Sequence, residues 1–494
     1  MHRDGDPDTR ESRTRGGCES ATDQPIPRPV THHADALAVA RHAGTASGAA
    51  VGAAAARAWS RLPATIRWSL VLGAAVGIQL LRRPETLLRP EFFNEDGQVF
   101  YIGTYFGSPL ETILRPYAGY LHLVPRLVAL LSRLVPVADA PLVTNTAALL
   151  ITAAVCAYIA GGRLSDAIPS TWLRWAIAAL VVLLPNSHET LGSIAYAQWY
   201  LGMYLLLAAY ATSPRRRAVE AIDLLTLGVA SFTGPWGLLL APLYAWQARP
   251  RPAIRQAGTV REPAPERLHW DGVRIRRALA VWLPSLVQLA YIIVTPAPSV
   301  GNGTATVEGA VGAFGSRFVD APFLGAVWTS LLLQAGLPFA LLAGLTVGIG
   351  GLIVVASRTL TVPERVVALY VLGVAVVTTM VRERTILGGF LDPGVAERYV
   401  VVPGLVLAAA AVSALIRGRG APRVAGMILV ALLTFGIVGD FRIPPHPSLD
   451  WPQRSQCIGG TSPCVVPVQQ PAVWSIRWPG AGGTYVQQPL GFGP

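Results

Sequence analysis

Three acids, Glu91, Glu95 and Asp96, stand close together in Glu91-Phe92-Phe93-Asn94-Glu95-Asp96-Gly97, within a chain of 494 residues that is 52% hydrophobic and 14% charged. Carboxylates so placed can accept a proton, pair with arginine or hold a cation. A charged side chain at a bilayer centre costs about 2.5–3.5 kcal/mol, while a good apolar residue returns only about 0.3–0.6 kcal/mol. These acids, with Glu85 and Glu111 nearby, must therefore lie at a water boundary. Phe92 and Phe93 precede the acids, and Phe100, Tyr101, Tyr105 and Phe106 follow, so aromatic rings can hold the carboxylates at interface depth. Partial desolvation there raises a carboxylate pKa and suits it to proton abstraction.

Further polar groups punctuate the apolar sequence. Arg115, His122 and Arg126 surround a turn and a helix start, a set that suits an anion or, equally, anchoring by tyrosine and arginine at the interface. His188 and Glu189, in Asn186-Ser187-His188-Glu189-Thr190, are hydrogen-bonding types fit for sugar hydroxyls or for an ordinary polar loop; being adjacent, they lack the same-face spacing of a metal pair. Arg398 and Tyr399 open a late apolar run on the side that positive-inside bias disfavours for arginine. Either a phosphate or an ion pair with Asp392 or Glu397 would account for Arg398. Cys457 and Cys464 bracket a short loop, Cys-Ile-Gly-Gly-Thr-Ser-Pro-Cys, which reads as a disulfide in an oxidising compartment or as half of a metal pair with His446 upstream.

The elements that must position these groups are apolar helices. Runs long enough for a hydrocarbon core of about 30 Å recur near 67–81, 142–160, 172–184, 194–211, 222–246, 278–295, 322–334, 337–356, 366–381, 400–416 and 424–439. The fold class is all-α, a polytopic transmembrane helical bundle. Arginines flank the runs, and by the positive-inside rule Arg57, Arg61 and Arg67 place the N-terminus in the cytoplasm, the acidic loop (about 83–119) outside, and the C-terminal segment 441–494 outside. Residues 1–60 lack periodicity and read as a disordered cytoplasmic tail, whose earliest part has the look of a misassigned start; no apolar core follows its first basic residues as a signal peptide requires. Two segments resist a simple reading. The stretch 120–137 carries His122, Arg126 and Arg133 near one face and could cross or lie in the interface, while Thr233-Gly234-Pro235 divides 222–246 into two half-helices that enter and return.

The net charge of +12 is spread in small arginine groups beside apolar runs, not on an aromatic and basic face, so no nucleic acid partner is expected. All the basic residues other than histidine are arginine, and with abundant alanine, glycine and proline this reads as the codon bias of a high-GC bacterium.

The arrangement over 66–440 resembles the GT-C superfamily of integral membrane glycosyltransferases, such as the protein O-mannosyltransferases and aminoarabinose transferases. The resemblance rests on Asn94-Glu95-Asp96-Gly97 in the first outer loop, His122 to Pro125 after it, and Arg398-Tyr399 before a late span containing Pro403. It implies a GT-C-like bundle that takes a sugar from a polyprenyl-phosphate donor at the outer face of a bacterial plasma membrane and passes it, with inversion, to an envelope glycan or lipid acceptor. By motif position it implies Asp96 as catalytic base with Glu95 as alternate, and Arg398 on the donor phosphate, with Arg115 or Arg126 assisting. Glu91, His122, His188, Glu189 and Tyr399 complete the expected substrate-binding set. No cofactor or metal is required, although Glu95 and Asp96 could hold one divalent cation. A transporter or flippase of lipid-linked sugars, or a non-catalytic membrane protein, is the alternative; a transporter would place ionisable groups near the midplane.

Overall fold

The first apolar run forms helix α1, Ala64–Arg82, which has no acid in its first turn and ends at Arg82 and Arg83. The computed structural model describes residues 59, 61–252, 268–269, 271–295, 314–382, 397–469 and 474–484. The expected tail over 1–60 thus lies outside the described residues except for Trp59, as does Asp392. The further principal helices are α2 (Leu123–Ser132), α3 (Ala140–Ala160), α4 (Thr171–Leu183), α5 (Ala197–Ala208), α6 (Arg217–Ser231), α7 (Trp236–Ala248), α8 (Gly272–Val294), α9 (Ala321–Ala335), α10 (Leu337–Ala356), α11 (Val362–Arg382), α12 (Arg398–Arg417) and α13 (Ala421–Asp440). Six helical stretches among the described residues are long and apolar enough to cross a membrane: Ala64–Arg82, Val137–Ala160, Gly272–Val294, Pro338–Ala356, Arg398–Arg417 and Ala421–Asp440. Large apolar side chains on their outer faces, including Leu342, Leu345, Ile349 and Leu352 of α10, remain exposed. A bilayer covers such a surface at no cost, and the helices fit a multi-pass membrane protein.

The uncertain segments resolve into shorter pieces. The stretch 120–137 yields α2, only ten residues long, too short to span. Across 222–246 the chain forms α6 and α7 around a turn in which Gly234 takes a positive φ of 104°. The expected run 194–211 is a short 3₁₀ turn, Ile194–Tyr196, leading into the twelve-residue α5. Helix α9 is kinked at Gly325, φ 78° and ψ 171°. A Cβ there would come within 2.5 Å of the Asp440 carboxylate, so the backbone conformation and the close approach both require glycine.

Buried arginines tie the two ends of the bundle. At one end Arg82 donates to the carbonyls of Val182 (2.7 Å), Phe441 (3.2 Å) and Asp440 (3.3 Å), joining the C-termini of α1, α4 and α13. At the opposite, basic end, Asp223 of α6 pairs with Arg163 and with Arg277 Nε, the latter at 3.0 Å, while Arg277 also donates to Ala211 O at 3.2 Å. These guanidiniums supply several donors each, which satisfies helix-end carbonyls that have no intrahelical partner.

The C-terminal segment, expected as a tail, is folded against the first loop. Strands β1 (Cys464–Pro467) and β2 (Ser475–Trp478) pair antiparallel. Beyond β1, Gln469 exchanges backbone hydrogen bonds with the acidic loop, accepting from Asn94 N at 3.0 Å and donating to Phe92 O at 2.9 Å. Trp451, Val466, Trp474, Ile476 and Trp478 bury with Phe92, Phe93, Phe100 and Tyr101 in a second apolar core, separate from the one between the helices. Cys457 and Cys464 are joined by a disulfide in this cap, their Cα atoms 6.4 Å apart.

Candidate functional site

Asn94 initiates the geometry of the acidic loop. It adopts φ 45°, a conformation that asparagine tolerates better than most side chains, and the chain then winds through Asp96–Tyr101. The turn sends Asp96 and Glu95 to different surroundings. Asp96 has no exposed surface and accepts three hydrogen bonds, from Ser193 Oγ (3.1 Å) and Ala195 N (2.7 Å) on Oδ1 and from Ile194 N (3.2 Å) on Oδ2. Burial pushes its pKa up to about 8, against the opposing pull of those donors. Asp96 therefore anchors the 193–195 turn to the first loop, and no side of its carboxylate is left open for a substrate hydroxyl.

Glu95 reaches a different cluster. The Tyr196 hydroxyl lies 3.1 Å from Glu95 Oε2 and 3.0 Å from Glu189 Oε1, and it accepts a hydrogen bond from Asn94 Nδ2 at 2.8 Å. Arg398 forms an ion pair with Glu189 Oε1 through its Nη1, and its backbone N donates to Glu189 Oε2 at 3.2 Å. The neighbour Glu397 accepts from Glu189 N at 2.8 Å and so fixes the loop that carries Glu189. Arg398 also lies over the rings of Tyr399 and Tyr196, at 5.0 and 5.6 Å from their centroids.

Proton counting defines the state of this cluster. A phenol carries a single proton and can donate to one carboxylate at a time, so the second contact requires a proton on the other acid. Burial raises the pKa of Glu95, whereas Glu189 faces a guanidinium. With that proton on Glu95, Glu95 donates to Tyr196, Tyr196 donates to Glu189, and Glu189 pairs with Arg398. One positive and one negative charge then remain, which avoids a net buried charge. The Glu189 and Arg398 side chains are 14% and 16% exposed, so the ion pair is reachable where Asp96 is not.

The other expected residues hold the surrounding frame. Glu91 accepts from Ser448 Oγ (3.1 Å), Leu449 N (2.8 Å) and Gln469 Nε2 (2.7 Å), fastening the cap to the first loop. Arg115 clamps its own loop through Gly103 O at 3.1 Å and Phe106 O at 2.5 Å. His122 precedes α2, stacked on Tyr120 with centroids 4.4 Å apart, and Arg126 is fully buried, donating to Val99 O at 3.0 Å beneath the Phe100 ring. His188 contacts Asp440 O at 3.0 Å, and burial lowers its pKa. Tyr399 packs edge-on against Trp199. Glu95, Glu189, Arg398 and Tyr399 are thus brought together, while Glu91, Asp96, Arg115, His122, Arg126 and His188 serve the walls. Sequence reasoning missed Tyr196, which lies in an apolar run and whose value depends on a fold-dependent convergence. It also missed Asp440, which accepts from Asn186 N (2.8 Å), Ala326 N (2.8 Å) and Val327 N (3.2 Å); its signal was an acid at the end of a spanning helix.

Among the described residues no group of three or more His, Cys, Asp or Glu side chains could hold a metal ion. Comparison with family models, curated proteins and solved structures finds no match to this chain.

Proposed function

We propose that this chain is a membrane glycosyltransferase of GT-C type, which moves a sugar from a polyprenyl-phosphate carrier to an envelope glycan or lipid at the outer face of a bacterial plasma membrane. The observation that supports this most is the convergence of Glu95 from the first loop and of Glu189 and Tyr196 from the connection between α4 and α5 on Arg398, at the start of α12. Arginine-rich turns at the other end support a cytoplasmic side there under positive-inside bias, and the disulfide agrees with an oxidising compartment around the cap.

In this reading Glu189 is the base. The acceptor hydroxyl attacks the anomeric carbon as its proton passes to Glu189, and the bond from that carbon to the phosphate oxygen breaks with its electron pair leaving on the phosphate. Protonation cancels the charge that Glu189 presents to Arg398, so the guanidinium is released to the phosphate just as negative charge accumulates there. Glu95 and Tyr196 hold Glu189 in position, and Asp96 holds the turn that carries Tyr196. One displacement inverts the anomeric centre.

The test is transfer of label from radiolabelled polyprenyl-phosphate sugars to envelope acceptors by the purified chain. Glu189→Gln should lower the rate per folded molecule by roughly 10²–10⁴-fold, the usual range for a general base, and also lower the melting temperature, because Arg398 loses its counter-charge. Full activity in Glu189→Gln would remove the base from this site.

A further inference from the structure

A cavity of about 820 Å³ opens at the basic end, between α4, α5, α7, α11 and α12, and reaches along α12 as far as Val402. Along α12 its wall consists of Val402, Leu405, Val406, Ala409, Ala410 and Ser413, the i, i+3, i+4, i+7 spacing of one helix face. At a rise of about 1.5 Å per residue that stripe runs roughly 16 Å, about half of a 30 Å hydrocarbon core. The small side chains Ala409, Ala410 and Ser413 leave the space, and Ile177, Met203 and Leu206 close it from the other side. The interior is an apolar sleeve parallel to a spanning helix.

The mouth has a different chemistry. Arg249 and Arg274 line it beside Trp246 and Tyr210. Arg249 is exposed, lies over the Trp246 ring at 5.2 Å and forms no ion pair among the described residues. Arg274 pairs with Asp271 at 3.1 Å and donates to Gln247 O at 3.4 Å. Two acids also face the mouth, Asp166 and Glu364, the second neutralised by Arg417 at 3.0 Å. Arg277, deeper in, is committed to Asp223. The rim thus offers Arg249, the arginine there without an ion pair among the described residues, and interfacial aromatic groups above an apolar shaft, with exposed Asp166 as the opposing charge; Arg249 and the amphipathic rings suit an anionic head on a long hydrocarbon chain.

We propose that this cavity is a binding site for an anionic phospholipid of the leaflet at the basic end, with one acyl chain along α12 and the phosphate between Arg249 and Arg274. An isoprenoid-phosphate sugar in the same pose would carry its sugar at the wrong end: α12 is twenty residues long, and Arg398 stands at its far terminus from the mouth. The lipid is therefore a resident of the fold and not the glycosyl donor, and the proposal is independent of the transferase reading.

Native mass spectrometry of the full chain, delipidated and then titrated with phosphatidylglycerol, phosphatidylcholine of matched chains or an isoprenoid phosphate, tests it. One phosphatidylglycerol should stay bound in preference to phosphatidylcholine. Arg249→Gln and Arg274→Gln should each weaken it about fivefold, in line with the usual worth of a basic residue beside an anionic lipid surface. Ala409→Leu with Ser413→Leu, which fills the sleeve and leaves the arginines, should abolish retention; since Arg249 is exposed, its variant keeps the test valid if the filled one does not fold. Equal binding of the two phospholipids, retention unchanged by filling, or stronger binding of the isoprenoid phosphate would each overturn the assignment.

Discussion

Neighbouring acids in the first loop have opposite surroundings, and substitution separates them. Asp96→Asn keeps an acceptor toward Ser193 and Ala195 but turns an amide N–H toward the Ile194 N–H; relative to the ionised carboxylate, which accepts all three bonds, the clash of donors should cost about 1–3 kcal/mol of stability above pH 8. Because Asp96 is raised from 3.8 to about 8 in the folded protein, the fold holds a proton between those values that the unfolded chain has lost. Its contribution is complete below the unfolded value and declines as pH rises toward 8, so thermal unfolding followed from pH 4 to 8 should show a downward slope that Asp96→Asn flattens. Glu95→Gln is a milder change. An amide N–H can replace the proton that Glu95 donates to Tyr196, so transfer activity should fall by no more than about tenfold while Glu189→Gln loses most of it. Activity measured side by side in these two variants distinguishes a positioning acid from a base.

Several helix boundaries were legible in the apolar runs, although the helix expected from 278 begins at Gly272 and the one expected from 222 begins at Arg217. The run 337–356 matches α10, and 400–416 lies inside α12. Segments whose polar residues serve the interior were harder to read: Arg126 sits in α2 to hold Val99 O, and the sequence does not reveal whether such an arginine faces lipid, water or a carbonyl. The C-terminal cap was legible only through its cysteines, because its pairing with the first loop is made by backbone atoms of Phe92, Asn94 and Gln469. The disulfide closes a loop of sequence separation seven. Replacing Cys457 and Cys464 by serine should loosen the cap by about 2–3 kcal/mol, on the entropy of a short closed loop, and limited proteolysis should then cut first between 457 and 464.

For the molecule as a whole, two distinct chemistries occupy one bundle: a carboxylate and arginine cluster beneath a disulfide-closed cap, and an apolar cavity with Arg249 and Trp246 at its mouth. The acid-rich loop, the arginine pattern and the spanning runs were visible in the sequence, since each is local. The partners of Glu189 and Arg398, 209 residues apart, and the cavity along α12 were not, because they arise from packing between distant helices. Orientation is the common premise. Gln453→Cys at an exposed position of the cap, in a Cys18→Ser and Cys156→Ala background that retains the disulfide and leaves one free thiol, should react from outside intact cells with an impermeant maleimide.

The most direct measurement is transfer of labelled sugar from a polyprenyl-phosphate donor by the purified chain, with Glu189→Gln and Asp96→Asn compared as folded proteins at one pH. Glu189→Gln should be nearly inactive while Asp96→Asn, corrected for its folded fraction, keeps most of the rate. Loss of transfer in Asp96→Asn alone, with Glu189→Gln fully active, would contradict the assignment of the reaction to the Glu189 and Arg398 pair.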